Sequence, residues 1–157
     1  MQSIYTVRNL VDRFISGGST VNICAIDLSK AFDKVNHCAL FLKLMHRNIP
    51  CNLLCILEDW FNKCFTCFKW KSTYSAHFKI DFGVRQGSVL SPHLFAIYIN
   101  DIASRLGFSQ RAFIVLYADD ILLVAPSLTE LQSLFKMCVL ELAWLDMCIN
   151  TKKSCCK

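Results

Sequence analysis

Three aspartates stand where the surrounding chain is otherwise apolar. Asp119 and Asp120 interrupt the run VLYADDILLVAP (115–126), and Asp27 directly follows the apolar stretch TVNICAI (20–26). An ionised carboxylate taken out of water costs several kcal/mol unless it is paired, hydrogen-bonded or bound to a metal. Grouped carboxylates suit hard divalent cations such as Mg²⁺, which take oxygen ligands and keep several waters. Two such ions about 4 Å apart can activate an attacking hydroxyl and stabilise the leaving oxygen of a phosphoryl transfer. The competing account is structural: a solvated acidic turn, with Asp27 ending a strand and capping the next segment.

For these acids to act together, the elements that carry them must be neighbouring strands. TVNICAI is β-branched and bounded by glycines and Asp27, which predicts a buried strand with Asp27 at its end. Residues 112–118 and 121–125 read as two apolar strands joined through Asp119 and Asp120, a tight hairpin with the acids at its tip. Helical periodicity predicts a first helix over 4–15, ended by Gly17 and Gly18, and a last one over 128–148. Asn36 and Asn52 are placed to cap helices reaching about 47 and about 66, with Pro50 between them. Residues 68–74 and 77–84 look extended, and 93–106 helical with Pro92 at the start. The order of elements predicts an α+β fold, an antiparallel sheet with helices packed on one face.

The 157-residue length fits one domain, 1–157. An apolar fraction of 54% and a mean hydropathy of +0.39, against 18% charged residues, make the chain greasy enough to want a covering partner. No uncharged apolar run is long enough to span a bilayer, and the N-terminus MQSIYTVRNLVDRF lacks the plan of a signal peptide, so no membrane role is expected. A net charge of +5 is compatible with a polyanionic partner without proving one. Ten cysteines with no secretory signal point to thiols in a reducing compartment. Cys51, Cys55, Cys64 and Cys67 have spacing that could be stretched into a zinc site, the alternative being helix packing.

Four blocks carry a resemblance: AIDLSKAFDKVNH (25–37), GVRQGSVLSPHLFAIYIND (83–101), LYADD (116–120) and NTKKS (150–154). In this order, and over nearly the whole chain, they resemble the reverse transcriptases, or RNA-directed DNA polymerases, of non-LTR (LINE-like) retrotransposons. The resemblance implies a polymerase palm in which Asp27 and Asp119 are the principal ligands of two Mg²⁺ ions, with Asp120 beside them and Mn²⁺ able to substitute. The implied reaction adds deoxynucleotides to a primer 3′-hydroxyl, with an RNA template, a DNA primer and deoxynucleoside triphosphates as partners.

Further roles follow from the same resemblance. Phe32 is the candidate gate against a ribose 2′-hydroxyl, although a Phe between Ala31 and Val35 also reads as core. Gln86 and Gly87 are implied to contact the incoming nucleotide or template, where glycine admits close backbone approach and an amide can hydrogen-bond. Lys153 matches a lysine near the triphosphate, where a cation neutralises charge or protonates pyrophosphate. Asp33 is read as a cap or salt-bridge partner, not a ligand.

The resemblance also implies a palm fragment whose fingers and thumb segments belong to a longer parent polyprotein. Its expected setting is an intracellular ribonucleoprotein, nuclear or cytoplasmic, and its activity alone is expected to be weak or nil. The alternatives are a catalytically dead retrotransposon remnant, a small zinc-stabilised interaction module, or an RNA-dependent RNA polymerase, against which Ala118 stands where those enzymes commonly have glycine. One stretch is left without a role: Lys63, Lys69, Lys71 and Lys79 interleave with Phe65, Phe68, Trp70, Tyr74 and Phe78. Such a mix can track phosphates and stack bases, or form a hairpin with rings inward and lysines outward.

Overall fold

A computed structural model describes residues 2–106 and 112–156 of the chain. In chain order the elements are α1 (Gln2–Ser16), β1 (Asn22–Ser29), a 3₁₀ turn (Ala31–Lys34), α2 (His37–His46), α3 (Cys51–Asn62), four two-residue strands β2 (Phe65–Thr66), β3 (Lys69–Trp70), β4 (Thr73–Tyr74) and β5 (Phe78–Lys79), then α4 (Ser91–Leu106), β6 (Phe113–Tyr117), β7 (Asp120–Ala125), α5 (Leu128–Trp144), β8 (Cys148–Ile149) and β9 (Cys155–Cys156). They divide into two compact units, Met1–Ala31 with Ile99–Lys157, and Phe32–Tyr98.

The first unit is built on an antiparallel sheet of order β6-β7-β1-β8, with β9 also pairing β1. In β1 the residues Cys24, Ile26 and Leu28 are buried and their neighbours half-buried, the two-residue alternation of a strand with one face on a core. Ile121 and Leu123 of β7 lie opposite Ile26 and Cys24 and are buried with them. α5 packs against β1 and β7 and buries Leu131, Leu134, Cys138 and Leu142. Its start is fixed by Ser127, whose side chain accepts a hydrogen bond from the Glu130 N–H at 3.2 Å. α1 touches β6, with Phe14 edge-on to Phe113 at 5.8 Å between ring centres. This is the expected α+β class, a helix layer on an antiparallel sheet.

The second unit holds α2 packed on α3, the strands β2 to β5, a loop, and the start of α4. Asn36 caps α2 as expected, accepting from the Ala39 N–H at 3.1 Å. Leu40, Leu44, Leu54, Phe61, Val84, Phe95 and Tyr98 are buried in it. The buried Lys43 ammonium donates to the Tyr98 carbonyl, which satisfies a charge that could not stay bare in that interior.

Four local expectations are corrected. Asp27 does not end its strand: β1 runs on to Ser29, because β8 supplies backbone partners for Leu28 and Ser29. α3 begins at Cys51 with Pro50 in the cap position and stops at Asn62, and the Asn52 side chain bonds the adjacent Leu53 N–H. The hairpin expected to turn after Tyr74 turns instead at Lys71, whose φ of 53° reverses the chain between β3 and β4. The last helix, expected to reach 148, stops at Trp144, and β8 and β9 join the sheet at β1 instead. Among the described residues, no helix is long and apolar enough to cross a membrane.

Candidate functional site

Antiparallel pairing brings the acids of the first unit together. The register of β1 and β7 sets Asp27 directly opposite Asp120, a relation that places Cα atoms about 4.5–5.5 Å apart with side chains on one face. Asp119 precedes Asp120 in the two-residue turn between β6 and β7, where Tyr117 faces Asp120 across the strands. Ala118, the other turn residue, has φ 51°, a left-handed conformation that costs a non-glycine residue about 1–2 kcal/mol. The turn is held by the sheet despite that strain, and it fixes where the two carboxylates leave the backbone. Asp27 and Asp119 are half-buried and Asp120 is exposed.

The electrostatics agree with the register. The Asp120 carboxyl, though exposed, has its pKa raised, first by the slight desolvation of its place in the strand, then by Asp119 and Asp27, while Lys153 pulls it down. Like charges directly opposed across two strands are destabilising, so this grouping works against the fold unless a cation offsets it. As a donor set, three carboxylates without sulfur or imidazole match hard ions such as Mg²⁺ or Mn²⁺. Among the described residues, however, no three His, Cys, Asp or Glu side chains already form a metal-holding group, the three aspartates included. Register and charge gather the acids, and closing them on an ion requires side-chain rotation.

The fourth block grips Asp27 from both sides. The Asn150 N–H donates to the Asp27 carbonyl at 2.8 Å, and the Asp27 N–H donates to the Ser154 hydroxyl oxygen at 3.1 Å. That hydroxyl donates in turn to the Asn150 carbonyl at 2.8 Å, closing the turn between β8 and β9. Lys153 rides on this turn, exposed, with its backbone N–H donating to the Asn150 carbonyl at 3.1 Å, so the residue is anchored beside the strand that carries Asp27. Asn150 and Ser154 carry no role in the sequence beside Lys153, although Asn and Ser are the residues that close turns through their side chains.

In the second unit, Phe32 is half-buried and stacks on the fully buried Phe95 at 4.7 Å and 26°. One face of its ring thus serves the core. The Gln86 amide donates to an Asp33 carboxylate oxygen at 3.0 Å, which holds Gln86 at the surface and gives Asp33 a neutral amide partner in place of the cap or salt bridge expected of it. Gly87 is exposed with φ 82°, and a side chain there would meet open space. Gly83 is the tighter position: at φ 86° a Cβ would lie 2.9 Å from the Asp33 Cα and 3.0 Å from the Phe32 carbonyl oxygen. Its backbone is locked by the Val35 carbonyl at 2.8 Å and by His37, whose ring nitrogen bonds the Gly83 carbonyl at 2.7 Å. Asp33, His37, Phe82, Gly83, Arg85 and Gln86 line part of a cavity of about 460 Å³. A glycine opening the block GVRQGS was the available signal for Gly83.

The zinc alternative fails on geometry. Cys51 and Cys55 are exposed on α3, the Cys64 thiol donates to the Trp60 carbonyl at 3.4 Å, and the four thiols do not gather as ligands.

Comparison with known proteins gives one family and a shared fold. Residues 4–157 match the family model described as reverse transcriptase (RNA-dependent DNA polymerase). A probable RNA-directed DNA polymerase from transposon BS of Drosophila melanogaster is 30% identical over 110 residues, 68% of this chain and 12% of the relative. The RNA-directed DNA polymerase from mobile element jockey of Drosophila funebris is 32% identical over 108 residues, 66% of this chain and 12% of that protein. Among solved structures, apo telomerase from Candida tropicalis truncated from its C-terminal domain superposes with a TM-score of 0.76 at 18% identity, over 98% of this chain and 34% of that one. The chain therefore spans about an eighth of the length of these curated relatives.

Proposed function

The chain belongs to the reverse transcriptase family, in its non-LTR, LINE-like branch, and from that premise we propose that it carries the metal-binding acids of an RNA-directed DNA polymerase that extends a DNA primer on an RNA template. The observation that carries this reading is the register that sets Asp27 opposite Asp120, with Asp119 in the adjoining turn. Asp27 and Asp119 are the principal ligands for two divalent cations, with Asp120 supporting them. Such cations, when bound, activate the primer 3′-hydroxyl and stabilise the leaving pyrophosphate oxygen.

The chain's own groups have the remaining tasks. Asn150 and Ser154 hold the Asp27 backbone, so the carboxylate projects from a fixed point. Lys153 supplies positive charge to the triphosphate and a proton for the departing pyrophosphate. Phe32, braced by Phe95, has the bulk to exclude a ribose 2′-hydroxyl. Gln86 and Gly87 offer an amide and an uncovered backbone to the nucleotide or template.

Calorimetric titration with Mg²⁺ and Mn²⁺ tests the metal site directly. Saturable binding is expected, lost in Asp119→Asn and Asp27→Asn. Primer extension on an RNA template by the longer parent chain should fall by at least about 100-fold in the same variants, the scale of removing one essential electrostatic group. Equal cation binding by wild type and both variants defeats the assignment.

A further inference from the structure

The segment between α3 and the loop at Gly83 has no part in the chemistry above, yet it is the most exposed aromatic surface of the second unit. β2 pairs with β5 and β3 with β4, forming a ribbon that turns at Lys71. The expected inward packing of its rings does not occur: Trp70 is 79% exposed and Phe68 71%. Phe68 lies against Phe78 at 5.3 Å between ring centres and leaves its own surface open. Lys69, directly opposite Tyr74, holds its ammonium 5.4 Å from the centre of that ring.

The charge is one-sided. Residues 60–80 contain four lysines and no acid. Two of those lysines are engaged at the base of the ribbon, Lys63 with Asp59 at 2.6 Å and Lys79 with Asp81 at 3.7 Å. Among the described residues, Lys69 and Lys71 are in no ion pair. Exposed rings alternating with unpaired cations are the pattern that binds unpaired nucleotides: bases stack on rings without regard to sequence, while ammonium groups follow the phosphates. A protein surface would complement the rings but leave the lysines needing acids; a polynucleotide strand satisfies both.

We propose that the ribbon of residues 65–79 binds single-stranded nucleic acid, stacking bases on Trp70 and Phe68 and contacting phosphates through Lys69 and Lys71. This surface does not depend on the aspartates, so it stands or falls separately from the polymerase reading.

Fluorescence anisotropy of labelled oligouridylate and oligothymidylate with the 157-residue chain, over a range of salt, is the test. Trp70→Ala should weaken binding roughly 5- to 150-fold, the loss of one stacked base, while Trp70→Phe retains most of it. Lys69→Ala with Lys71→Ala should reduce the slope of log affinity against log salt by roughly 1.4, two phosphate contacts on a single strand. The ratio of the two oligonucleotide affinities reports whether RNA or DNA is the preferred strand. Leu140→Ala, at an exposed position of α5, should leave both affinities unchanged, which places the effect on the ribbon. Binding that is indifferent to Trp70→Ala overturns the proposal. So does a duplex bound as tightly as a single strand with the same dependence on Trp70, since paired bases have no free face to stack.

Discussion

The two hairpins of this chain begin alike and end as opposites. Each reverses at a non-glycine residue in the left-handed region, Ala118 at φ 51° between β6 and β7 and Lys71 at φ 53° between β3 and β4. In the first, the strands lie inside a larger sheet, Ile121, Leu123 and Val124 are buried, and the tip is acidic. In the second, every residue from Phe68 to Lys79 is exposed, the strands are two residues long, and the tip is basic. A buried hairpin can hold like charges close because packing on its sides fixes its tip. An exposed one has little to hold it and can leave its rings free for a ligand.

The largest expected contrast is in stability. Leu123 is 0% exposed, paired to Val115's neighbour Ile114 on one side and to Cys24 on the other. Leu123→Ala removes buried methyl groups and leaves a cavity, which should cost about 2–5 kcal/mol in urea unfolding. Trp70→Ala in the exposed ribbon should shift the same transition by no more than about 0.5 kcal/mol. Comparable losses in the two variants would mean that the ribbon is packed in solution, and the contrast would be broken.

A smaller difference should appear between two serine hydroxyls that act as backbone acceptors, one at the strand paired to the acidic hairpin and one in the ribbon. Ser154 accepts from Asp27 in part-buried surroundings at 3.1 Å, and Ser75 accepts from Phe68 in the open at 2.9 Å. Ser154→Ala strands a shielded N–H and should cost about 1–2 kcal/mol, whereas water replaces the Ser75 hydroxyl and Ser75→Ala should cost a few tenths. Amide hydrogen exchange reads both sites: the Asp27 N–H should lose protection markedly, and the Phe68 N–H little.

These particulars show what could be read from the residues and what could not. The acids were legible because charge inside an apolar run is costly, and two adjacent strands with a short connection can only be a hairpin. Asn36 was legible because its cap is local. β8 and β9 were not, because two-residue strands have no period to detect, and their partner β1 lies more than a hundred residues upstream. The turn at Lys71 carries no Gly, Asn or Asp to announce it. The grip of Asn150 and Ser154 on Asp27 needed the tail to be in the sheet before it could be seen. Gly83 and Lys43 were visible as residue types, but their constraints are set by neighbours distant in sequence, Asp33 and Tyr98.

The acidic tip should reveal itself by pH dependence. Asp120 has a folded-state pKa raised above its unfolded value, so the folded chain holds that proton more tightly than the unfolded one. Its contribution therefore favours the fold at low pH and is lost as pH rises from the unfolded pKa through the folded one, leaving a penalty above that window. Asp120→Asn should remove the penalty and raise stability at neutral pH by about 0.2–1 kcal/mol, the scale of one like-charge cross-strand pair. Mg²⁺ should stabilise the wild type and abolish that advantage. Chemical unfolding across the acidic range, with and without Mg²⁺, checks both statements; a variant less stable than wild type in metal-free buffer at neutral pH would contradict the charge assignment.

The smallest effect tests the one property the hairpins share. A left-handed non-glycine residue costs about 1–2 kcal/mol, and glycine relieves this but loses roughly 0.5–1 kcal/mol through its freer unfolded chain. Ala118→Gly and Lys71→Gly should each therefore stabilise by a net few tenths to about 1 kcal/mol, and by similar amounts, because backbone strain does not depend on what surrounds the turn. If only Ala118→Gly stabilises, the ribbon is not held at its left-handed turn in solution. If only Lys71→Gly does, the surrounding sheet relies on the Ala118 methyl group, and the acids are seated by packing at the tip as well as along the strands. Equal gains would place the whole difference between the hairpins in their side chains, burial and carboxylates in one, rings and ammonium groups in the other.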